Sequence, residues 1–478
     1  MCEITGQWDT RYKSMLFPTP RISHPISAPS NPRNSRPPSR IFKLRCNREW
    51  RQMALELDKS KGVKGPCELM KLSYIDLPTI CPPEPMHSQY LGTVKSILER
   101  WFGIDVKSNA WYRALSKAQK QPLKAHQLSK AQLRQIDNRL SLIKFPERAL
   151  RAMPQLSDKR ALKSIEYEIL LFYGWPCFEG IVEANRFLNM KQLAYILSSL
   201  SARYISKQTD IRSVEMTINS FMETFDKIYT KDESFLWKIN LHYLVHLPDM
   251  VRRYGPLPIQ AAYSTENIMG LMAKRVMTGT NVSQQVMKKV VTFQSIVSTC
   301  AQNLQSFSQP FIDQLSLYLP KYYSTEKRVN TYSSDYNPSQ DELDLMLPLE
   351  TDETFFSLQR VMHRGQTICT EEYNNTKATT TNNHCIRSDR HKYYIVKKII
   401  KCSKSGVINL ICCELIRCTK LPLNRNVSIT NTNFMYIHTF SKISSKLTKL
   451  SLTEFYEHAT YATIGNTNYV FNIFNKHL

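Results

Sequence analysis

The hydrophobic pattern of this chain changes period once, and that change constrains the fold more than any other feature. Up to about residue 306, apolar side chains recur three and four residues apart, the spacing of one helix face. "NMKQLAYILSSLSARYIS", "SVEMTINSFMETFDKIY" and "FLWKINLHYLVHLPDMVRRYG" all follow it. From about residue 352 the apolar residues come instead in β-branched and aromatic runs separated by Ser, Asn and Gly, the pattern of strands. "KYYIVKKIIKC", "GVINLICCELIRC", "FMYIHTF" and "YVFNIF" are the clearest. The expected fold is mixed α/β and predominantly helical, ending in a small β-rich domain.

Four regions follow. Residues 1–47 contain "PTPRISHPISAPSNPRNSRPPSR", a basic Pro/Ser-rich stretch that cannot bury enough apolar surface to order itself. Residues 48–310 form the main, largely helical region. Residues 311–351 read as a polar linker, and 352–478 as the β-rich domain. Within the main region, Leu91, Val94, Leu98 and Trp101 make a helical stripe that Gly103 is placed to stop.

The 478-residue chain carries a formal net charge of +24, which points to a polyanionic partner, and DNA is the expected one. Basic residues outnumber acidic ones between Arg113 and Lys163. The candidate phosphate contacts there are Lys117, Lys120, Lys124, Lys130, Arg134 and Arg139, joined by Lys274 and Arg275 further on. The bland alternative is a solvated basic face. The 12 cysteines contain no C-x-x-C pair or zinc spacing, which fits reduced thiols and a nuclear or cytoplasmic protein rather than a secreted one. The sequons at Asn281, Asn374 and Asn426 are then chance matches. No stretch is long and apolar enough to span a membrane.

Three places could carry chemistry. In "PPEPMHSQYLG", Glu84 precedes His87 by three residues at a helix start. Read alone it is a capping carboxylate with a polar neighbour. His242 and His246 lie one helical turn apart in "NLHYLVHLPD" without the glutamate of H-E-x-x-H. Two satisfied histidines beside an apolar face are the simpler reading. Glu266, in "YSTENIMGLMAKRVMTGTNVSQQV", again reads alone as a cap.

Taken in order, these pieces resemble one family. "GVKGPCEL", "EPMHSQYLGTVK", "IDNRL", "INLHYLVHLPDMVRRYGPL" and "YSTENIMGLMAKRVMTGTNVSQQV" are similar to the successive motifs of transposase-domain proteins from CACTA-like cut-and-paste DNA transposons. The resemblance covers roughly residues 48 to 310. It implies an RNase H-like core, partial here, in which acidic residues hold two divalent metals, usually magnesium, for attack on a DNA phosphodiester. Glu266 matches the family's final acidic position, Glu84 the acid before "MH", and His87 the histidine of that motif. Glu84 and Glu266 are thus the implied magnesium ligands.

The chain also departs from the pattern. Glutamate stands at 84 where the family keeps aspartate, Thr265 replaces a phenylalanine, and Met269 an asparagine. The first acidic residue has no clear counterpart; Asp9 is the nearest offer, with no strand expected around it. Asp76 is an alternative third carboxylate. The expectation is an N-terminally truncated, transposable-element-derived protein that binds DNA and has lost catalysis. A second copy of the chain is a further expected partner; a membrane and a small-molecule substrate are not. The rival readings are an active metal-dependent nuclease or integrase, and a helical interaction scaffold without nucleic acid. If core strands are missing, residues 60–110 are expected to be the least stable part.

Overall fold

The computed structural model describes residues 7–9, 14–16, 46–57, 65–77, 80, 82–103, 126–144, 153–158, 162–202, 208–229, 238–263, 265–266, 269–270, 281–303, 333–346, 354–363, 366–376, 383–388, 392–417, 437–464 and 466–472. The change of period is realised as a change of architecture. Among the described residues, 46–303 contain helices and no strand. No sheet of an RNase H-like core lies among them. Asp9 does sit in a strand, contrary to expectation: β1 (Gln7–Asp9) pairs antiparallel with β2 (Ser14–Leu16), with Asp9 opposite Ser14.

At the centre of the helical part lies the segment that opens with "PMHSQYLG". Met86–Val94 is wound as a π-helix and runs straight into the α-helix Lys95–Phe102, which ends at Gly103 in the left-handed region, as the sequence predicts. Val94, Leu98, Trp101 and Phe102 are buried in the main core with Tyr167, Phe172, Trp175 and Phe178. The helix Ser164–Ile169 also widens into a π stretch, Leu170–Gly174. Tyr90 and Phe172 meet edge to face across these two segments, 6.0 Å apart. Met86–Phe102 is therefore an inner element, not the exposed margin expected for residues 60–110; the missing strands are not what covers it.

The helix Ile239–Tyr243 crosses the π segment closely. Gln89 Nε2 donates to the Asn240 carbonyl at 3.2 Å. A Cβ on Gly92 would lie 2.4, 2.7 and 2.8 Å from Nδ2, Cγ and Cβ of Asn240. Further out, the helix Asn47–Leu55 organises the loop before the prolines. Arg51 Nη2 donates to Leu72 O at 2.8 Å, and Asn47 Nδ2 to Ile75 O at 2.9 Å.

The "IDNRL" motif is structural throughout on the helix Lys130–Ser141. Ile136 and Leu140 are buried. Asp137 accepts from the backbone of Leu156 and Ser157 at 2.7 and 3.0 Å. Arg139 Nη1 donates to the carbonyls of Cys177 and Glu179 at 3.1 and 2.6 Å. Arg139, expected at a phosphate, instead ties down a helix end.

The C-terminal part is a closed antiparallel sheet. Its strands are β7 (Cys385–Ser388), β8 (Tyr393–Cys402), β9 (Ile408–Arg417), β10 (Ile437–Ser451), β11 (Phe455–Ile464) and β12 (Thr467–Asn472). They pair in the ring β8–β9–β10–β12–β11–β7, with β7 returning to β8. Cys385, Tyr393, Ile395, Leu415, Phe440, Ala459 and Val470 come from every strand of this ring and pack together inside it. Closure removes the free edges that an open sheet would expose.

The region expected to be a polar linker, 311–351, holds part of this sheet. β3 (Ser333–Tyr336) pairs with β4 (Phe355–Leu358), which pairs with the end of β8 beyond β7. The acidic helix Gln340–Met346 follows β3. Its Glu342 is buried and takes Lys398 Nζ at 2.6 Å and the Ser339 N–H at 2.9 Å. One satisfied carboxylate and the apolar Met346 hold this polar segment in place, which its composition hides. A two-stranded ribbon, β5 (Arg360–His363) with β6 (Gln366–Cys369), completes the β elements. Its Val361 and Ile368 cover the outer side of the ring.

The ring is not a separate unit. Ala462, Ile464, Tyr469 and Phe471 on β11 and β12 join the helical core itself. Phe471 meets Tyr173 edge to face at 6.3 Å, and Thr460 Oγ1 donates to Lys144 O at 3.1 Å.

Two predictions follow from this packing. Gly92→Ala forces Asn240 and its helix to shift and is expected to lower the unfolding free energy by about 1–3 kcal/mol, the usual result of overpacking. A thermal midpoint equal to that of the parent chain would refute the close approach. Burial pushes His384 and His458 in the β ring down to about 4. Their unfolded value is near 6.5. Above that pH both states are neutral; below it the unfolded chain takes up protons first. Stability is therefore expected to fall as pH drops from about 6.5 to about 4, by up to roughly 3 kcal/mol per histidine. Urea midpoints across this range measure it, and His458→Gln flattens the slope.

Candidate functional site

Glu84 stands one residue before Pro85, whose fixed φ of −65° starts the helical segment. Its carboxylate turns back onto the segment's unsatisfied N–H groups. Oε1 accepts from Met86 N at 2.7 Å and Oε2 from His87 N at 2.8 Å. Oε2 also contacts His87 Nδ1 at 2.7 Å. Oε1 takes a further bond from Ala262 N at 2.8 Å, across 178 residues of sequence. The other imidazole nitrogen of His87, Nε2, lies 3.0 Å from Glu266 Oε1.

The three residues named from separate motifs thus meet as one chain: Glu84, His87, Glu266. His87 and Glu266 are exposed, while Glu84 is three-quarters buried. Carboxylates only accept, so both imidazole contacts are hydrogen bonds when the ring carries two protons.

A second layer lies behind this chain. Tyr263 OH donates to Glu168 Oε2 at 3.1 Å and shares a hydrogen bond with Ser164 Oγ at 2.9 Å. Ser164 Oγ also reaches Met86 O at 3.4 Å. Burial pushes the Tyr263 phenol up to about 12; the Ser164 hydrogen bond opposes that, and the charges of Glu84 and Glu266 add to it. Tyr263 occupies the aromatic position of the last motif. Glu168 had no signal, because in "SIEYEI" a glutamate reads as solvent-facing, yet its side chain is buried.

The geometry does not suit magnesium. A carboxylate offers about four lone-pair sites, and Glu84 receives four hydrogen bonds from nitrogen donors. A magnesium ion needs oxygen ligands in near-octahedral array. Among the described residues, no three His, Cys, Asp or Glu side chains are grouped to hold a metal ion. Asp76 is paired with Arg253 at 3.2 Å. What the Glu84 carboxylate does here is join the start of one helix to the 262–266 segment.

The other expected residues divide. His242 and His246 are buried with their Nε2 atoms 3.2 Å apart, one donating to the other. Burial pushes His242 down to about 4, so the pair is neutral near pH 7 and belongs to the core. Lys130 and Arg134 are exposed one turn apart on Lys130–Ser141. Lys117, Lys120, Lys124, Lys274 and Arg275 lie outside the described residues. Of the sequons, Asn374 is buried and Asn426 lies outside the described residues. No helix among the described residues is long and apolar enough to cross a membrane. Comparison with family models, with curated proteins and with solved structures returned no match.

Glutamate at 84 has a specific consequence. Its extra methylene lets one carboxylate cap its own helix and still reach Ala262. Glu84→Asp, which restores the residue of the resembled family, is expected to lose the Ala262 bond and lower stability by about 1–2 kcal/mol. Hydrogen exchange at Ala262 should accelerate. Unchanged protection there, with an unchanged melting temperature, would show that the longer side chain has no such role.

Proposed function

We propose that this protein is a transposable-element-derived DNA-binding protein, the remnant of a cut-and-paste transposase whose catalysis is gone. The carrying observation is the convergence of Glu84, His87 and Glu266 from motifs far apart in sequence. Three polar positions that a family pattern ties together are together in space, although each read alone was an ordinary helix cap. An RNase H-like ancestry for residues 48–310 and a nuclear location belong to the same reading and rest on the order of those motifs. The net charge of +24 supports DNA as the partner.

Loss of catalysis is supported by the use to which the carboxylates are put. Phosphodiester chemistry by two metals needs acidic oxygens free to coordinate. Glu84 is filled by N–H donors, and Glu266 faces an imidazole nitrogen.

The test has two arms. Anisotropy with a fluorescent DNA duplex is expected to show binding that weakens steeply between about 50 and 200 mM salt. Supercoiled plasmid incubated with magnesium or manganese is expected to stay uncut. Cleavage that Glu266→Gln abolishes would restore the active-enzyme reading. Absence of any salt-dependent binding would leave the interaction scaffold as the better account.

A further inference from the structure

The β ring carries an excess of positive charge that its own carboxylates do not neutralise. On the described residues of β7 to β12 and their connections the acids are Glu414, Glu454 and Glu457. Glu414 pairs with Lys392 at 3.0 Å. Two more lysines are matched from outside the ring: Lys397 by Glu371, and Lys398 by Glu342. Arg417, Lys442, Lys446 and Lys449 have no such partner among the described residues.

These four lie on one neighbouring pair, β9 and β10. Lys442 stands beside Ile416, next to Arg417, and Lys449 stands opposite Ile411. Between Ile443 and Leu447 the register slips, so β10 carries extra residues against β9. A bulge of this kind bends the strand and re-aims side chains. Here it presents Ser444, Ser445 and Lys446, the last two exposed. The Lys446 N–H donates to Ser444 Oγ at 3.1 Å, which fixes the bulge locally. Hydroxyls therefore alternate with the ammonium groups along "SKISSKLTKLS".

The rest of the ring's outer surface is occupied. β11 and β12 face the helical core, and the β5–β6 ribbon covers part of the remainder. The acidic helix Gln340–Met346 lies against Leu447 and bounds the basic stretch at its Lys449 end. An ordinary lysine-rich solvated face would carry interspersed carboxylates. This one has cations and hydroxyls, the groups that contact phosphate oxygens.

We propose that the β9–β10 face, with Arg417, Lys442, Lys446 and Lys449, is the surface on which this protein holds the phosphate backbone of DNA. The proposal rests on the DNA-binding reading above and names its site, away from the Glu84–His87–Glu266 chain. The contact is to the backbone, so it discriminates little between sequences.

The experiment compares the full chain with two variants on one random-sequence 20-base-pair duplex, across a salt series. The first is Lys442→Ala/Lys446→Ala/Lys449→Ala; the second, Lys130→Ala/Arg134→Ala, changes exposed cations elsewhere. Each phosphate contact contributes about 0.9 to the slope of log affinity against log salt. The triple variant is expected to lose about 2 to 3 in slope and at least about tenfold in affinity, with melting temperature unchanged; the double variant is expected to change less. If the parent binds and the triple variant matches it in slope and affinity, the β9–β10 assignment is overturned while DNA binding stands. If the parent itself does not bind the duplex, or binds an acidic polypeptide in preference, both fall.

Discussion

The helix that begins at Met86 can lie where it does because residue 92 has no side chain. Asn240 fills the space a Cβ would need, with three of its atoms inside 3 Å of that position. This contact sets the distance between Met86–Val94 and Ile239–Tyr243. That distance places the start of the first helix beside the chain that continues to Ala262 and Glu266. The Glu84 carboxylate reaches Ala262 only from there. The Tyr90–Phe172 contact fixes the same segment from its other side. The polar chain at the surface is thus a consequence of apolar packing beneath it.

Much of the helical part was legible because helix periods survive in sequence when one face is buried. Leu98 and Trp101 are core residues, and Gly103 ends its helix, as their spacing and type indicate. β8 and β9 were equally plain, since their apolar runs face packed neighbours on both sides. Most of β10 was not. Its second half, "SKISSKLTKLS", is polar because one side meets solvent, and a bulge interrupts its alternation. Nor could composition show that Gln340–Met346 belongs to the sheet, because a single buried carboxylate on Lys398 holds it there.

At the candidate site, the sequence supplied the members but not their use. Order of motifs brought Glu84, His87 and Glu266 forward. Only geometry shows that Glu84 is filled by four donors, since lone-pair occupancy depends on where Ala262 falls. The same holds for Arg139 and Asp137. Their types suit phosphate or metal contact, yet both bind backbone groups that would otherwise be unsatisfied. A motif can outlast the chemistry it once served when its residues also hold the fold together.

The side chains that β11 and β12 contribute to the helical core have a consequence for how this protein is made. Thr460 bonds to a residue 316 positions earlier, and Tyr469 to one 290 positions earlier. A ribosome adding about 5–20 residues per second needs roughly 15 to 60 seconds to span that interval. Throughout it, Tyr173 and its neighbours wait with an apolar face uncovered. The nascent helical part is then a client for chaperones, and what ends that dependence is the arrival of the strands that close the ring.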